Sequence, residues 1–276
     1  MRFKLTLKKL DNKAILPINY QYPLSVWIYR MIQNAESSYS LFLSKKGVNT
    51  LRKSFKYFSF SDLFLSKYEL LTNEEGIKDR ISIQSPNITL QISFYLDKIC
   101  ESFIKDLFAN KLLILGDQKT QARFEVAYVD ALPLQIESET VKLKTLSPVV
   151  LKRKKEDGTM GYISPKHEEF EQYFLDNLIG KLTTVAETFP NGLMGMQQIE
   201  PKFKLLTSSS IKSRIITIKA DTPDQVELKG FHPFEFELTA PKEMIELGLL
   251  MGFGKYNEEG MGYCEILKSE KLKIKS

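Results

Sequence analysis

Gly252-Phe253-Gly254-Lys255-Tyr256-Asn257-Glu258-Glu259-Gly260-Met261-Gly262 sets four glycines in two G-x-G pairs around a short polar bridge. Glycine adopts positive φ without steric cost and lets backbone approach a ligand, so such a loop can turn N–H groups onto a phosphate. What flanks the loop decides its reading. A helical pattern precedes it (Pro241 to Leu250) and an apolar run follows (Tyr263 to Leu267). Mononucleotide and dinucleotide loops run from strand into helix, and the first kind ends G-K-[ST]. Neither condition holds, which argues against ATP and NAD. A glycine loop that leaves a helix and enters a strand suits a longer anionic backbone, with RNA the natural candidate.

Working outward, the segments before the loop fall into a recurring order. Met1 to Leu7 alternates strictly, with Phe3, Leu5 and Leu7 against Arg2, Lys4 and Thr6, as a half-buried strand does. Pro17 and Pro23 bracket an extended link, and from Leu24 the apolar positions Trp27, Ile28, Met31, Ala35 and Phe42 lie on one helical face. Phe55 to Phe60 reads as a strand. Arg80 to Gln84 and Asn87 to Phe94 read as a pair, the first an extension of the second. Tyr95 to Phe108 reads as a helix and Phe124 to Val129 as a closing strand. That is β-α-β-β-α-β, the ferredoxin-like order.

The second half repeats the order loosely. Val141 to Leu151 is strand-like and Glu168 to Leu182 helical. Phe203 to Thr207 and Arg214 to Lys219 flank Ser208-Ser209-Ser210 as an expected hairpin. Phe231 to Leu238 adds a strand, Lys242 to Leu250 a short helix, and Tyr263 to Leu267 another strand. The expected fold is α+β: two tandem ferredoxin-like (βαββαβ, RRM-like) domains, 1–135 and 136–276, with the glycine-rich loop in the second and facing the cleft between them.

Composition supports a folded, β-rich chain. Of 276 residues, 43% are apolar and 26% charged, and 18 Phe and 12 Tyr favour strands. The net charge of +5 is modest, but its distribution is not even. Ser44–Lys56 holds five Lys/Arg and no acid, Thr140–Lys155 six, and Pro201–Ala220 five. Such stretches are either solvated faces or phosphate-binding surfaces. Cys100 and Cys264 stand far apart without CxxC spacing and read as reduced thiols of a cytoplasmic protein. With His167 and His232 they form no zinc spacing, so neither metal nor cofactor is expected. No run approaches ~18 apolar residues, so no membrane span is expected.

With these pieces placed, the chain resembles the CRISPR-associated endoribonucleases that cut precursor CRISPR RNA, family six of the RAMP superfamily. MRFKLTL, LPINYQYPLSVWIYRMI, FLSKKG…FKYFSFS, KTLSPVVLK and GFGKYNEEGMG carry the resemblance in order and spacing. It spans nearly the whole chain, and the glycine loop is its most specific part. The resemblance implies metal-independent cleavage by the RNA's own 2′-hydroxyl, leaving a 2′,3′-cyclic phosphate and a 5′-hydroxyl. That chemistry needs a base for the 2′-hydroxyl, an acid for the leaving 5′-oxygen and a donor for the charged phosphorane. The implied partner is precursor CRISPR repeat RNA, with a multisubunit CRISPR effector complex as a further candidate; a monomer and a homodimer both fit.

Carried over by motif, the family's helix-borne tyrosine falls on Tyr29 in WIYR and its lysine on Lys56. Tyr29 lies off the apolar stripe, on the side of Ser25 and Gln33. The slot the family fills with histidine reads Phe42-Leu43-Ser44. Serine does not titrate near neutrality, so Ser44 is expected only to orient a group or a water. This departure favours a second reading, a noncatalytic repeat-RNA-binding protein of the same fold. His167 opens a helix and His232 sits in GFHPF, and each has a local structural explanation. The expected RNA contacts are the side chains of Lys45, Lys46, Arg52, Lys53, Lys152, Arg153, Lys202, Lys204 and Lys255, with the backbone of Gly252, Gly254, Gly260 and Gly262.

Overall fold

A computed structural model describes residues 1–35, 57–76, 78–96, 100–154, 158–188, 199–220 and 222–267. Ser44, Lys45, Lys46, Arg52, Lys53 and Lys56 lie outside the described residues.

The first unit runs β1 (Arg2–Lys9), β2 (Ala14–Pro17), α1 (Gln21–Asn34), β3 (Phe58–Phe60), β4 (Tyr68–Thr72), β5 (Lys78–Ile83), β6 (Asn87–Phe94), α2 (Glu101–Phe108), β7 (Leu112–Gly116) and β8 (Gln121–Leu132). Its antiparallel sheet has the order β3-β6-β1-β8-β7. Without the edge strand β7, this is the ferredoxin-like arrangement, in which the first and third strands of the βαββαβ unit lie side by side at the centre. Alternation in β1 sends Phe3, Leu5 and Leu7 into a core with Leu24 and Ile28 of α1 and Ile104 and Phe108 of α2. The pairing Phe3↔Ile92 and Arg2↔Ser93 puts Arg2 and Ser93 on the opposite face.

The second unit runs β9 (Thr140–Thr145), β10 (Lys152–Lys154), β11 (Met160–Tyr162), α3 (Phe170–Thr188), β12 (Lys202–Leu205), β13 (Ser213–Ile218), β14 (Val226–Phe231), β15 (Glu235–Thr239), α4 (Lys242–Met251) and β16 (Cys264–Ile266). Its central sheet, β12-β15-β9-β16, repeats the order of the first. The core is aromatic: Phe174 lies 4.8 Å from Phe203 and 5.4 Å from Phe236 between ring centroids, and stacks on Phe253 at 5.5 Å. The chain therefore folds as tandem ferredoxin-like units.

Three pairings differ from expectation. The segment around Arg80 does not extend β6. It forms β5, which joins β2 and β4 in a separate three-stranded sheet. Pro86 stands between β5 and β6, and proline gives no N–H to a ladder. Nor do the strands around Ser208-Ser209-Ser210 form a hairpin. β12 pairs with β15, and β13 with β14. Phe203 belongs to the aromatic core, so its strand enters the central sheet. Finally, Phe231 to Leu238 is two strands, divided at His232-Pro233, again where the ladder lacks a donor.

The two units meet on the polar face of the first sheet. Arg2 donates to the Tyr263 hydroxyl (2.9 Å) and the Cys264 carbonyl (2.7 Å), and its guanidinium lies over the Tyr263 ring. Ser93 Oγ donates to the Leu250 carbonyl at 2.8 Å, and Ser59 Oγ to that of Met261 at 3.2 Å. Arg214 reaches Asp62 (3.3 Å) and the Ile18 carbonyl (2.7 Å). The buried Arg2, Ser59 and Ser93 find partners across the seam, which holds the units in one register.

Candidate active site between the two units

The glycine loop follows α4 and turns back into β16 through a 3₁₀ turn at Asn257–Glu259. Phe253 anchors it beneath α3 by stacking on Phe174. The segment Thr145–Val150, which reads TLSPVV, runs beside it. Gly262 N–H donates to the Pro148 carbonyl (2.8 Å), Lys255 N–H to that of Val150 (2.9 Å), and Tyr263 N–H to Ser147 Oγ (2.9 Å). Two stretches that carry the sequence resemblance from more than a hundred positions apart are thus hydrogen-bonded neighbours.

This packing accounts for the glycines. Gly262 has φ +75°, and a Cβ there would overlap the Phe253 carbonyl oxygen; a Cβ on Gly260 (φ +83°) would overlap the Phe60 ring. The N–H groups of Lys255, Gly260 and Gly262 are already held by the carbonyls of Val150, Asn257 and Pro148. The loop therefore offers its surroundings mainly side chains rather than a row of free amides.

Those side chains line a cavity of about 780 Å³ between the units. Lys255, Tyr256, Glu258 and Glu259 come from the loop, Lys152 and Lys154 from β10, and Tyr57 and Phe58 from the first unit. α3 contributes Tyr173, Asp176, Asn177, Gly180, Lys181 and Thr184, a stripe at helical spacing opposite the buried Phe170, Phe174 and Leu178. Lys152 Nζ donates to the Tyr256 hydroxyl at 3.0 Å, which raises its pKa, and it lies over the Tyr162 ring. Asn177 Oδ1 is buried without a hydrogen-bond partner among the described residues.

Tyr29 crosses from the first unit to this wall. Its ring packs edge-on against Phe58 at 5.2 Å, and its hydroxyl donates to Glu258 Oε2. Burial first, then the Glu258 carboxylate, push the phenol well above the ordinary tyrosine range. Tyr29 is thus held protonated, as a proton donor. Beside it, burial and the Glu258 charge raise Glu259.

Lys181 was not singled out from the sequence, although the polar stripe of α3 would have pointed to it. Its amine donates to the Gly252 carbonyl (2.5 Å) and to Asn257 Oδ1 (2.6 Å), capping the C-terminus of α4. The residue keeps some exposure, yet enough protein surrounds the amine for desolvation to bring its pKa down to about 7. The two acceptors oppose that shift, because each favours the ammonium.

The remaining candidates divide. Lys152 and Lys255 line the cavity, as does Gly254, whereas Lys202, Lys204 and Arg153 do not. Lys202 and Lys204 sit on the edge strand β12, and Arg153 is paired with Glu169 at 2.7 Å. The third basic stretch is therefore away from the cavity, and its Arg214 belongs to the seam. Neither histidine lines the cavity. His167 Nδ1 accepts the Glu169 N–H at 3.2 Å near the start of α3, and His232 Nδ1 meets Thr145 Oγ1 at 3.0 Å. Burial lowers the His232 pKa. Among the described residues no three His, Cys, Asp or Glu side chains gather as metal ligands, and no helix is long and apolar enough to cross a membrane.

Comparison with known proteins bears directly on this arrangement. Residues 15–126 match the family model described as CRISPR-associated protein Cas6, N-terminal, and residues 131–266 match the one described as CRISPR associated protein Cas6, C-terminal. The chain belongs to the Cas6 family. It is 28% identical to the CRISPR-associated endoribonuclease Cas6 1 of Methanocaldococcus jannaschii, across 100% of this chain and 98% of that protein. A solved Cas6 structure superposes with a TM-score of 0.70 at 26% identity, covering 97% of this chain and 99% of the other. The product of a Cas6-related gene from Pyrococcus furiosus has the same fold, with a TM-score of 0.72 at 22% identity over 98% and 99% of the two chains. Cas6 relatives are named endoribonucleases, so RNA processing in CRISPR is the activity of the family to which the chain belongs.

Proposed function

We propose that this protein cleaves precursor CRISPR RNA within its repeats, using the RNA's 2′-hydroxyl as nucleophile and leaving a 2′,3′-cyclic phosphate and a 5′-hydroxyl. The reading rests above all on one observation: Tyr29 of the first unit meets Glu258 of the second at the wall of the interunit cavity. Lys152, Lys154 and Lys255 around that cavity are suited to hold phosphates, and Tyr57, Tyr173 and Tyr256 to stack on bases. The unpartnered Asn177 Oδ1 offers an acceptor to a base donor. Tyr29 serves as a proton donor to the leaving oxygen, and Lys56 of the basic stretch before β3 stabilises the phosphorane charge.

The test is incubation with the repeat RNA of the neighbouring CRISPR array in EDTA, with products sized and their ends identified. Cleavage at one position with a cyclic-phosphate end is expected. Tight, salt-sensitive binding without cleavage would instead support a noncatalytic repeat-RNA-binding protein. Ser44, in the slot the family fills with histidine, is the observation that favours that second reading.

A further inference from the structure

A base for the 2′-hydroxyl is still unaccounted for. Serine at position 44 does not titrate near neutrality. Tyr29 donates its proton to a carboxylate and is held in the acid form. Lys181 is occupied as the cap of α4. Of the two adjacent loop carboxyls, Glu258 is the one that reaches Tyr29, and it lines the same cavity. Its position is fixed from behind. Asn257 Nδ2 donates to the carbonyls of Phe253 (3.1 Å) and Met261 (2.8 Å), its Oδ1 accepts from Lys181, and together these hold the turn that carries Glu258.

We propose that Glu258 is the catalytic base of this cleavage and forms with Tyr29 a closed proton relay in place of the family's histidine. The proposal rests on the endoribonuclease reading above. Glu258 takes the 2′-hydroxyl proton as the 2′-oxygen bonds to phosphorus. Tyr29 gives its phenolic proton to the 5′-oxygen as the P–O5′ bond breaks. Glu258 then returns its proton to the Tyr29 phenolate across their shared hydrogen bond. One proton has moved from the 2′- to the 5′-oxygen, and both side chains are restored without exchange with solvent. A base must be ionised to act, so acid that protonates it stops the reaction. Tyr29 of α1 meets Glu258 directly, and the charged and titratable groups that line the cavity with it are Tyr57 before β3, Lys152 and Lys154 from β10, Tyr173, Asp176 and Lys181 from α3, and Lys255, Tyr256 and Glu259 from the loop.

The experiment is single-turnover cleavage of the repeat RNA in EDTA by wild type, Glu258→Gln, Glu258→Asp and Tyr29→Phe. Each is also given RNA whose scissile 5′-oxygen is replaced by sulfur, a leaving group that needs no protonation. Glu258→Gln keeps an acceptor for the Tyr29 hydroxyl but cannot take a proton. It is expected to lose ~10²–10⁴ in rate, to bind RNA within about twofold of wild type, and to lose the acid limb of the pH profile. Sulfur should rescue Tyr29→Phe but not Glu258→Gln. A near-wild-type rate in Glu258→Gln overturns the proposal. So does rescue of that variant by sulfur, which would make Glu258 only a positioning residue for Tyr29. A rate loss matched by lost RNA binding overturns it as well. If Glu258→Gln does not fold, Glu258→Asp decides: a slowed rate that sulfur leaves unrescued supports the base, and a full or rescued rate removes it. Absence of cleavage by wild type would sink both this proposal and the endoribonuclease reading, whereas wild-type cleavage with an indifferent Glu258→Gln sinks only the relay.

Discussion

Replacing Gly262 by alanine separates a glycine needed for packing from a glycine kept open for a ligand. Its φ of +75° alone costs an alanine ~1–2 kcal/mol. The added Cβ would also overlap the Phe253 carbonyl oxygen and lie 2.7 Å from Asn257 Nδ2. The loop must open to relieve this, at the expense of the bond from Phe253 N–H to the Gly262 carbonyl or that from Gly262 N–H to Pro148, both 2.8 Å. One buried bond left unmade adds ~1–3 kcal/mol, for about 2–5 kcal/mol in all by these magnitudes. That is a large share of the ~5–15 kcal/mol that holds a typical protein folded. Gly76→Ala is the matched control: its φ is +79°, but nothing lies within 4 Å of the added Cβ. It should lose only the ~1–2 kcal/mol of backbone cost. Urea unfolding of wild type and both variants makes the comparison. Equal losses in the two variants would refute the packing argument and return the loop to the role of an open phosphate cradle.

Arg2→Met should lower stability by ~2–4 kcal/mol, since it removes charge-assisted bonds across the seam; a loss below ~1 kcal/mol in denaturant unfolding would show the seam to be incidental. Lys152→Ala should reduce the slope of log affinity against log salt by about one unit, measured by RNA titration over a salt series, and an unchanged slope would remove Lys152 from the phosphate contacts. Burial brings the Lys181 amine to about 7 from an ordinary 10.5, so between those values the folded protein binds fewer protons than the unfolded chain. Its contribution to stability therefore rises with pH through that window. Melting curves of wild type and Lys181→Met should diverge in slope there, and parallel pH profiles would count against the shift.

Much of the fold was legible because it rests on local pattern. Strict alternation from Arg2 to Leu7 is β1, the Leu24–Trp27–Ile28 stripe is α1, and a helix does lead into the glycine loop and a strand out of it. Strand partners were less legible, because they depend on what covers a face rather than on what is adjacent. β12 left its expected hairpin because Phe203 has aromatic partners in the central sheet. The site shows the same division. Its motif and its place off the apolar stripe singled out Tyr29, which the structure sets against Glu258. Lys181 and Glu258 were missed, since each matters through a neighbour far along the chain: Gly252 for one, Tyr29 for the other. The glycines drew attention as ligand-facing backbone, yet the contacts that demand Gly260 and Gly262 are with the Phe60 ring and the Phe253 carbonyl.

The bond between Arg2 and Tyr263 joins residues 261 positions apart, and this has a consequence for synthesis. On the ribosome the first unit emerges and folds before the second exists. Arg2 and Ser59 must then wait in water, because the partners of their side chains lie on residues translated much later. The wall on which Tyr29 meets Glu258 cannot close until that stretch has left the exit tunnel. A nascent chain with that stretch still inside the tunnel should therefore lack the proposed site.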